Sequence, residues 1–564
     1  MDPDPARGAI GRARAPTGFA AARAAGPAVL ALVVASIVAP WLNPAAGGPS
    51  AVIQPWLTAA AATLILWIVV APGAARGALV AAVLVATVLA VLGHAAPPVL
   101  LAIGGLLVIL LSAATAGGAA RAGCGGSAIA NAWLIAAVVS SLFALVQYFG
   151  LSADLPAVIN PTPAGEAFAN LRQRNQFATL TSIGLIALLW KVENGTRLRW
   201  ALLGAVLLAT ANAASASRTG ALQTALIVVL SFWWLRPSDR GGKVVSVAAM
   251  LAYCVAAVSL PMLLQQLAGV TVPNAFSRLA SGDGCASRSI LWGNVLHLIA
   301  QKPAWGWGWG ELDYAHFATL YPGPRFCDIL DNAHNLPLHL AVELGVPAAV
   351  VLCGGFVWWL AALRPWRETD PTRRMAWAVI AVILLHSLLE YPLWYGPFQM
   401  ALGFALGLLA RQPSPAMADT AAQVSKNAVA VVLGLALLYS AWDYHRVSQL
   451  YTPPEQRSAL YRARPLPRIG DSWLFRDQVA FAELSTVALT QDNAARTHAL
   501  AMGLLHYSPE PRVIEVAIES ALVLHRDDQA LWLMARYRAA FPQEYASWSK
   551  AGARAQPAAT PLKD

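Results

Sequence analysis

Apolar residues along this chain come in runs far longer than a soluble core element needs, separated by short segments rich in Gly, Pro and Arg. Windows of about 17 to 24 residues with few charges predict membrane-spanning helices. They fall near 25–43, 51–71, 76–93, 97–116, 127–149, 174–191, 199–216, 218–235, 243–265, 334–362, 375–395, 396–411 and 427–446. Adjacent helices share almost no loop near 212–218 and 391–396, so the expected total is about twelve to fourteen spans. The pattern changes after about residue 447, where charged and apolar residues alternate at helical spacing, as in Val513, Val516, Ala517, Ser520 and Ala521, then Leu531, Leu533, Ala535 and Tyr537. The fold class expected is all-α: a polytopic membrane helix bundle followed by a small helical domain of tetratricopeptide (TPR-like) character. The domain reading is a cytoplasmic tail over 1–24, a membrane domain over 25–446 with a long loop at 266–333, and a helical carboxyl-terminal domain over 447–564.

Composition agrees with the pattern. Of 564 residues, 57% are hydrophobic and 12% charged, and mean hydropathy is +0.55. Such a surplus cannot be hidden in one soluble core but can face lipid, which excludes soluble enzymes and fibrous classes. A formal charge of +10 would suit nucleic acid, but the cations cluster in short loops: Arg7/Arg12/Arg14/Arg23, Lys191/Arg197/Arg199, Arg236/Arg240/Lys243 and Arg364/Arg367/Arg373/Arg374. They recur after every second span, as the positive-inside rule requires, and read as topology. The Arg-rich amino terminus lacks a small-residue cleavage site after a short apolar core, so it reads as a cytoplasmic tail and not a signal peptide. Thirteen spans then put the loop at 150–173, the segment at 266–333 and the tail outside.

Five cysteines show no CxxC and no Cys/His cluster at metal spacing, so no metal site is expected. Cys285 and Cys327 share the long polar loop and can pair if it faces an oxidising compartment. Arg172, Arg174, Arg218, Arg278 and Arg288 fall on the outward side, where the positive-inside rule does not predict arginine. Arg218 follows the small-residue run Ala209–Ser217, which allows close backbone approach. His334 opens an apolar helix, where a neutral imidazole can accept a proton. His297, His339 and His386 read as packed histidines. Glu390, in the sequence Glu390-Tyr391-Pro392-Leu393-Trp394-Tyr395, is a carboxylate at a membrane boundary, which is costly unless paired or used; it could orient an arginine or act as base.

These residues resemble the bacterial Wzy-C superfamily, which groups O-antigen ligases, O-antigen polymerases and pilin-type protein O-oligosaccharyltransferases. The resemblance rests on Ser287-Arg288-Ser289 followed by Trp292, on the Pro-x-x-Gly-x-Gly-Trp-Gly block at 303–310, and on Asn332-Ala333-His334-Asn335 running into Ala341-Val342-Glu343-Leu344-Gly345. Gln147-Tyr148-Phe149-Gly150 and the block from Asn170 to Thr179 are similar to the protein O-oligosaccharyltransferase branch, as is the helical tail. Trp305 and Trp307 depart from the pattern, standing where smaller apolar residues are usual.

The resemblance implies a GT-C-like bundle in the bacterial inner membrane, amino terminus cytoplasmic and carboxyl-terminal domain periplasmic, that moves a preassembled glycan from undecaprenyl diphosphate to a periplasmic acceptor. It implies no cofactor, an inverting route without metal, and a Ser/Thr of a protein as the favoured acceptor, with lipid A core or a growing O-antigen polymer as alternatives. Planar guanidinium donors match diphosphate oxygens, so Arg218 and Arg288 are expected at the catalytic centre with His334, which by the resemblance either activates the acceptor hydroxyl or holds the diphosphate. Arg172, Arg174, Gln176, Arg278, Glu390 and Tyr395 would bind sugar or acceptor. A lipid-linked glycan transporter would instead show charges midway through the spans and paired repeats, and neither is apparent. A noncatalytic scaffold presenting the tail is disfavoured by the outward Arg/His set.

Overall fold

The computed structural model describes residues 27–45, 47–69, 97–121, 125–235, 239–272, 284–410 and 420–555. The expected tail over 1–24, the span at 76–93, and Arg278 lie outside them.

Every regular element among the described residues is helical. Five helices are long and apolar enough to cross a membrane: Pro97–Gly117, Gly125–Tyr148, Arg240–Ala268, Val346–Arg367 and Asn427–Tyr451. Shorter apolar helices run over Ala28–Leu42, Ile53–Val69, Leu198–Ala214 and Gly396–Leu409. The chain is therefore a multi-span, all-α membrane bundle. Three further helices, Arg174–Glu193, Arg218–Trp234 and Pro371–Ser387, coincide with expected spans yet carry Gln, Thr, Ser and His side chains. They can do so because they sit inside: Gln176, Thr179, Ser182, Gln223 and His386 are all buried against neighbouring helices. Polar groups at that depth must find partners within the protein. Gly220 lets the Arg218–Trp234 helix approach closely, since a Cβ there would meet Ala178 and the Asn212 side chain.

Two expectations about the path need correction. The span expected over 334–362 is two helices, Leu336–Leu344 and Val346–Leu363. They break at Gly345, whose φ of 88° and ψ of 159° lie in a region essentially reserved for glycine. The Trp-Gly block holds the break open. Trp307 N–H donates to the Val342 carbonyl at 2.8 Å, Gly308 N–H to Glu343 at 3.0 Å, and Val346 N–H to Pro303 at 2.8 Å. A helix interrupted at a Gly thus has its orphaned backbone groups satisfied by a second strand of chain. The span expected over 375–395 ends at Ser387. Pro392 lacks an N–H and disfavours helix at the residue before it, so residues 388–395 form a connector with one short turn, Pro392–Trp394, and Glu390 lies outside the span.

The segment 284–333 folds on its own small core of Leu291, Val295, Leu298, Leu312, Phe326 and Leu330. Cys285 and Cys327 are disulfide-bonded within it, their Cα atoms 5.5 Å apart. Beyond the Thr420–Ser448 helix the chain forms successive short helices from Pro465 to Ala555. Val513, Ala517, Ser520 and Ala521 are buried there as their spacing predicts, while Val516 is half-buried. Of the second set, Leu533 and Tyr537 are buried while Leu531 is 64% exposed and Ala535 is exposed. A spacing of two cannot keep one helical face; the buried positions are Ala530, Leu533, Tyr537 and Ala540.

Gly345→Ala places a Cβ against the Ala304 carbonyl in a backbone conformation that costs about 1–3 kcal/mol for a non-glycine residue. We expect a lower unfolding temperature in detergent and faster proteolysis of the segment 284–345, with Gly354→Ala, which has open space around its Cβ, serving as the unaffected control.

Candidate functional site

Four helices begin at one end of the bundle and each begins with a polar cap. Gln173 accepts the Gln176 N–H at 2.6 Å at the start of the Arg174–Glu193 helix. Ser217 Oγ accepts the Gly220 N–H at 3.0 Å, Ser287 Oγ the Ile290 N–H at 3.4 Å, and Asn335 Oδ1 the Leu338 N–H at 3.2 Å. These residues satisfy first-turn donors. They also fix the residues beside them: Arg218 and Arg288 directly follow their caps as the first residues of their helices, and His334 directly precedes the Asn335 cap.

The Glu390 carboxylate joins these segments. Its Oε2 lies 2.7 Å from His334 Nδ1, and its Oε1 accepts from Asn175 Nδ2 at 3.1 Å and from Arg288 Nη2. The same Arg288 nitrogen donates to the Leu389 carbonyl at 2.8 Å. Ser217 Oγ donates to Asn175 Oδ1 at 2.6 Å, aligning the amide that faces Glu390. Asn335 Nδ2 donates to the Leu388 carbonyl at 3.2 Å. Only 12% of the Glu390 side chain is exposed. Burial opposes its ionisation, but the hydrogen bond and charge of His334, followed by the charge of Arg288, outweigh it and hold the carboxyl below the ordinary carboxylate range.

An ionised carboxylate only accepts hydrogen bonds, so His334 Nδ1 carries the proton facing it and, in the neutral ring, Nε2 carries the lone pair. His334 itself is left-handed, with φ of 48°, an uncommon conformation for a non-glycine residue. Asn332 Oδ1 accepts its N–H at 3.0 Å, and the Ala333 carbonyl accepts from Trp292 Nε1 at 3.1 Å. Tyr391 packs edge-on to the imidazole at 5.2 Å and stacks on Tyr395 at 6.1 Å. Burial raises both phenols above their ordinary range, so they stay protonated donors.

The expected residues thus fall into groups. Arg288, His334 and Glu390 converge; Arg218 opens the helix capped by Ser217, at the same end, and is half-buried. Tyr395 and Gln176 lie beside each other. Arg172 and Arg174 are engaged elsewhere: Arg172 donates to the Pro44 and Ala45 carbonyls, and Arg174 pairs with Glu166, its Nε 3.0 Å from Oε2. Sequence reasoning missed Asn175, Ser217 and Tyr391 as contributors. The signal available for Asn175 was an amide beside Gln176 at the start of an expected span, within a block already singled out.

Three family models match separate parts of the chain. One described as "Virulence factor membrane-bound polymerase, C-terminal" covers residues 374–556, one described as "O-Antigen ligase" covers 203–353, and one described as "Protein glycosylation ligase" covers 167–191. Among characterised proteins, a "General O-oligosaccharyltransferase" of Acinetobacter baylyi is 26% identical over 319 residues, 55% of this chain and 55% of that protein. A "ComP-specific O-oligosaccharyltransferase" of the same organism is 26% identical over 289 residues, 50% of this chain and 51% of that protein. The chain thus spans about half the length of the curated relatives it matches.

A carboxyl depressed in the folded state stabilises the fold fully above its unfolded pKa, about 4.3, and loses that contribution as pH falls through its folded value. We therefore expect the connector 388–395 to loosen in acid, below the ordinary carboxylate range, measured as faster hydrogen exchange at the Leu389 and Glu390 amides. Glu390→Gln should remove most of that acid dependence.

Proposed function

We propose that this chain, a member of the Wzy-C superfamily close to its O-oligosaccharyltransferase branch, transfers a preassembled glycan en bloc from undecaprenyl diphosphate to a hydroxyl of a periplasmic protein. The observation that carries the reading is the Glu390 carboxylate bonded at once to His334 and Arg288. Glu390 fixes the imidazole with Nε2 as the free base and would stabilise the imidazolium that forms. Arg288 is held at the same point as a cation for the leaving group, and its Nε is buried without a hydrogen-bond partner among the described residues. Arg218 at the head of its helix is the second cation; the positive end of the helix dipole beside it repels the guanidinium but adds to the field that draws an anionic diphosphate to that point.

In the proposed step the acceptor oxygen attacks the anomeric carbon while its proton passes to His334 Nε2. The bond from that carbon to the diphosphate oxygen breaks, and its electron pair leaves with the diphosphate, whose charge Arg288 and Arg218 neutralise. One displacement inverts the anomeric centre. Tyr391, Tyr395 and Gln176 supply donors and aromatic surface beside the imidazole for sugar or acceptor. The sidedness that goes with this chemistry puts residues 284–333 and the carboxyl-terminal helices in the periplasm and the amino terminus in the cytoplasm. A serine or threonine acceptor draws support from the match at 167–191 and from the two relatives' printed names; the match at 203–353 supports lipid A core as the competing acceptor.

Purified protein in liposomes with an undecaprenyl-diphosphate-linked glycan should glycosylate a pilin-like protein, read as a mass shift, and leave lipid A core unmodified; product on neither acceptor refutes the transferase. His334→Ala should lower the rate by about 10²–10⁴, the range for loss of a general base. Arg288→Ala should abolish transfer in protein that still inserts, and full activity in both variants would overturn these roles.

A further inference from the structure

Below the Glu390 cluster lies a second polar layer that the reaction as described does not use. Thr179 Oγ1 is 2.9 Å from His386 Nδ1. Gln223 Nε2 donates to Thr179 Oγ1 at 2.8 Å and to the Val382 carbonyl at 2.9 Å, and Ser182 Oγ donates to Gln223 Oε1 at 3.2 Å. Thr179 and Gln223 are 0% exposed and His386 is 1% exposed. His386 Nε2 has no hydrogen-bond partner among the described residues. Burying these groups inside a membrane bundle is costly, and an apolar set of the same size would fill the space. Their placement suggests what retains them.

The layer repeats the connectivity of the site one turn deeper. Thr179 follows Asn175 by four residues on one helix and donates to its carbonyl at 2.9 Å. His386 precedes Glu390 by four, and its carbonyl accepts the Glu390 N–H at 2.8 Å. Asn175 bonds Glu390 at 3.1 Å above as Thr179 bonds His386 below. The third helix joins both levels, through Ser217 to Asn175 at 2.6 Å and through Gln223 to Thr179. We propose that Thr179, His386 and Gln223 are positioning residues, forming a lower polar rung that fixes the rotation of the two helices that carry Asn175 and Arg218 and of the Pro371–Ser387 helix that leads into the connector bearing Glu390. This rests on the transferase reading for its catalytic consequence.

One hydrogen-bonded contact sets a separation but leaves a pivot, whereas two contacts about one helical turn apart, roughly 5.4 Å, remove the rotation as well. With side chains about 5–6 Å from a helix axis, a turn of roughly 10° displaces the Asn175 amide by about 1 Å, and a turn of the Pro371–Ser387 helix moves the His386 carbonyl to which the Glu390 N–H is bonded; a misplacement of that size can lower a rate about 10²-fold. Interhelical hydrogen bonds also act as plain glue between membrane helices, so the test must separate alignment from stability.

Thr179→Val keeps the shape and deletes the rung; Thr179→Ser keeps the hydroxyl. In the liposome assay Thr179→Val should lower kcat about 10- to 100-fold with the KM for donor and acceptor unchanged, Thr179→Ser should restore kcat to within about twofold of the parent protein, and His386→Phe combined with Thr179→Val should cost little more than either alone. Independently of turnover, hydrogen exchange at the Leu389 and Glu390 amides should speed up about tenfold in Thr179→Val and not in Thr179→Ser. Equal kcat and equal exchange in the Val and Ser variants would overturn the inference, as would a loss confined to the amount of folded protein. If the unsubstituted protein glycosylates neither acceptor, the transferase reading fails, and the exchange comparison still decides whether the rung holds the connector.

Discussion

A carboxylate withdrawn from water at the end of a membrane bundle is tolerated only when cations and donors replace its hydration. For Glu390 the replacements come from three separate parts of the chain: Asn175 from one inner helix, Arg288 from the start of the loop segment, and His334 from the segment's far end. Satisfying that one group therefore requires both ends of residues 284–333 to return to the same point above the bundle. The disulfide between Cys285 and Cys327 and the small core of Leu291, Val295, Leu298 and Phe326 make the segment compact enough to do so. The Trp-Gly block fastens it to the break at Gly345. Removing Glu390 would leave a guanidinium and an imidazole without the charge that draws them together, so the connector's single acidic residue organises more of this end of the bundle than its position in a short turn suggests.

The bundle sorts its helices by what surrounds them. Those that face lipid carry their apolar side chains outward, as Val351 and Trp358 show at 72% exposure each and Leu438 at 68%. The three inner helices can be less apolar because their polar side chains bond to one another and not to lipid. The same residues that make these helices less apolar, Thr179, Gln223 and His386 among them, form the proposed rung beneath the Glu390 cluster.

Long apolar runs made the bundle legible from the sequence, and the Ser287-Arg288-Ser289 and Asn332-to-Asn335 motifs made Arg288 and His334 legible. Hydropathy measures how much apolar surface must be covered, however, and not the path of the backbone. It joined the two helices on either side of Gly345 because Val346 and its successors continue the apolar run, and it carried one span through Glu390 to Tyr395 because a single carboxylate barely dilutes the window. The pairing of arginines was out of reach for another reason. Arg174 meets Glu166 and Arg172 meets the Ala45 carbonyl, and which of several outward cations are already neutralised depends on contacts between segments far apart in the chain. Glu390 and His334, 56 residues apart, could be nominated singly but not joined. In the tail, Leu531 and Ala535 were grouped with Leu533 and Tyr537 on a period of two, which a helix does not share.

The loop is held not only at the membrane but also from the side of the tail. Phe317 belongs to the same apolar core as Leu504, Ile514 and Tyr537, Arg536 Nε donates to the Ala318 carbonyl at 2.8 Å, and His506 lies 2.6 Å from Glu311 while its ring stacks on Tyr314. With the segment fixed at its base, its middle and both ends, accommodation of the proposed anionic donor falls to side chains with hydrogen-bond donors to spare. Arg288 is suited to that. A guanidinium has five donors in a planar fork, and one nitrogen, Nη2, makes both contacts to Glu390 and the Leu389 carbonyl. The remaining donors can engage phosphate oxygens without releasing the carboxylate that aligns His334. Under the proposed chemistry the cation and the base then stay mutually oriented as the leaving group departs, which is the preorganisation that makes fixed charges effective in a transition state.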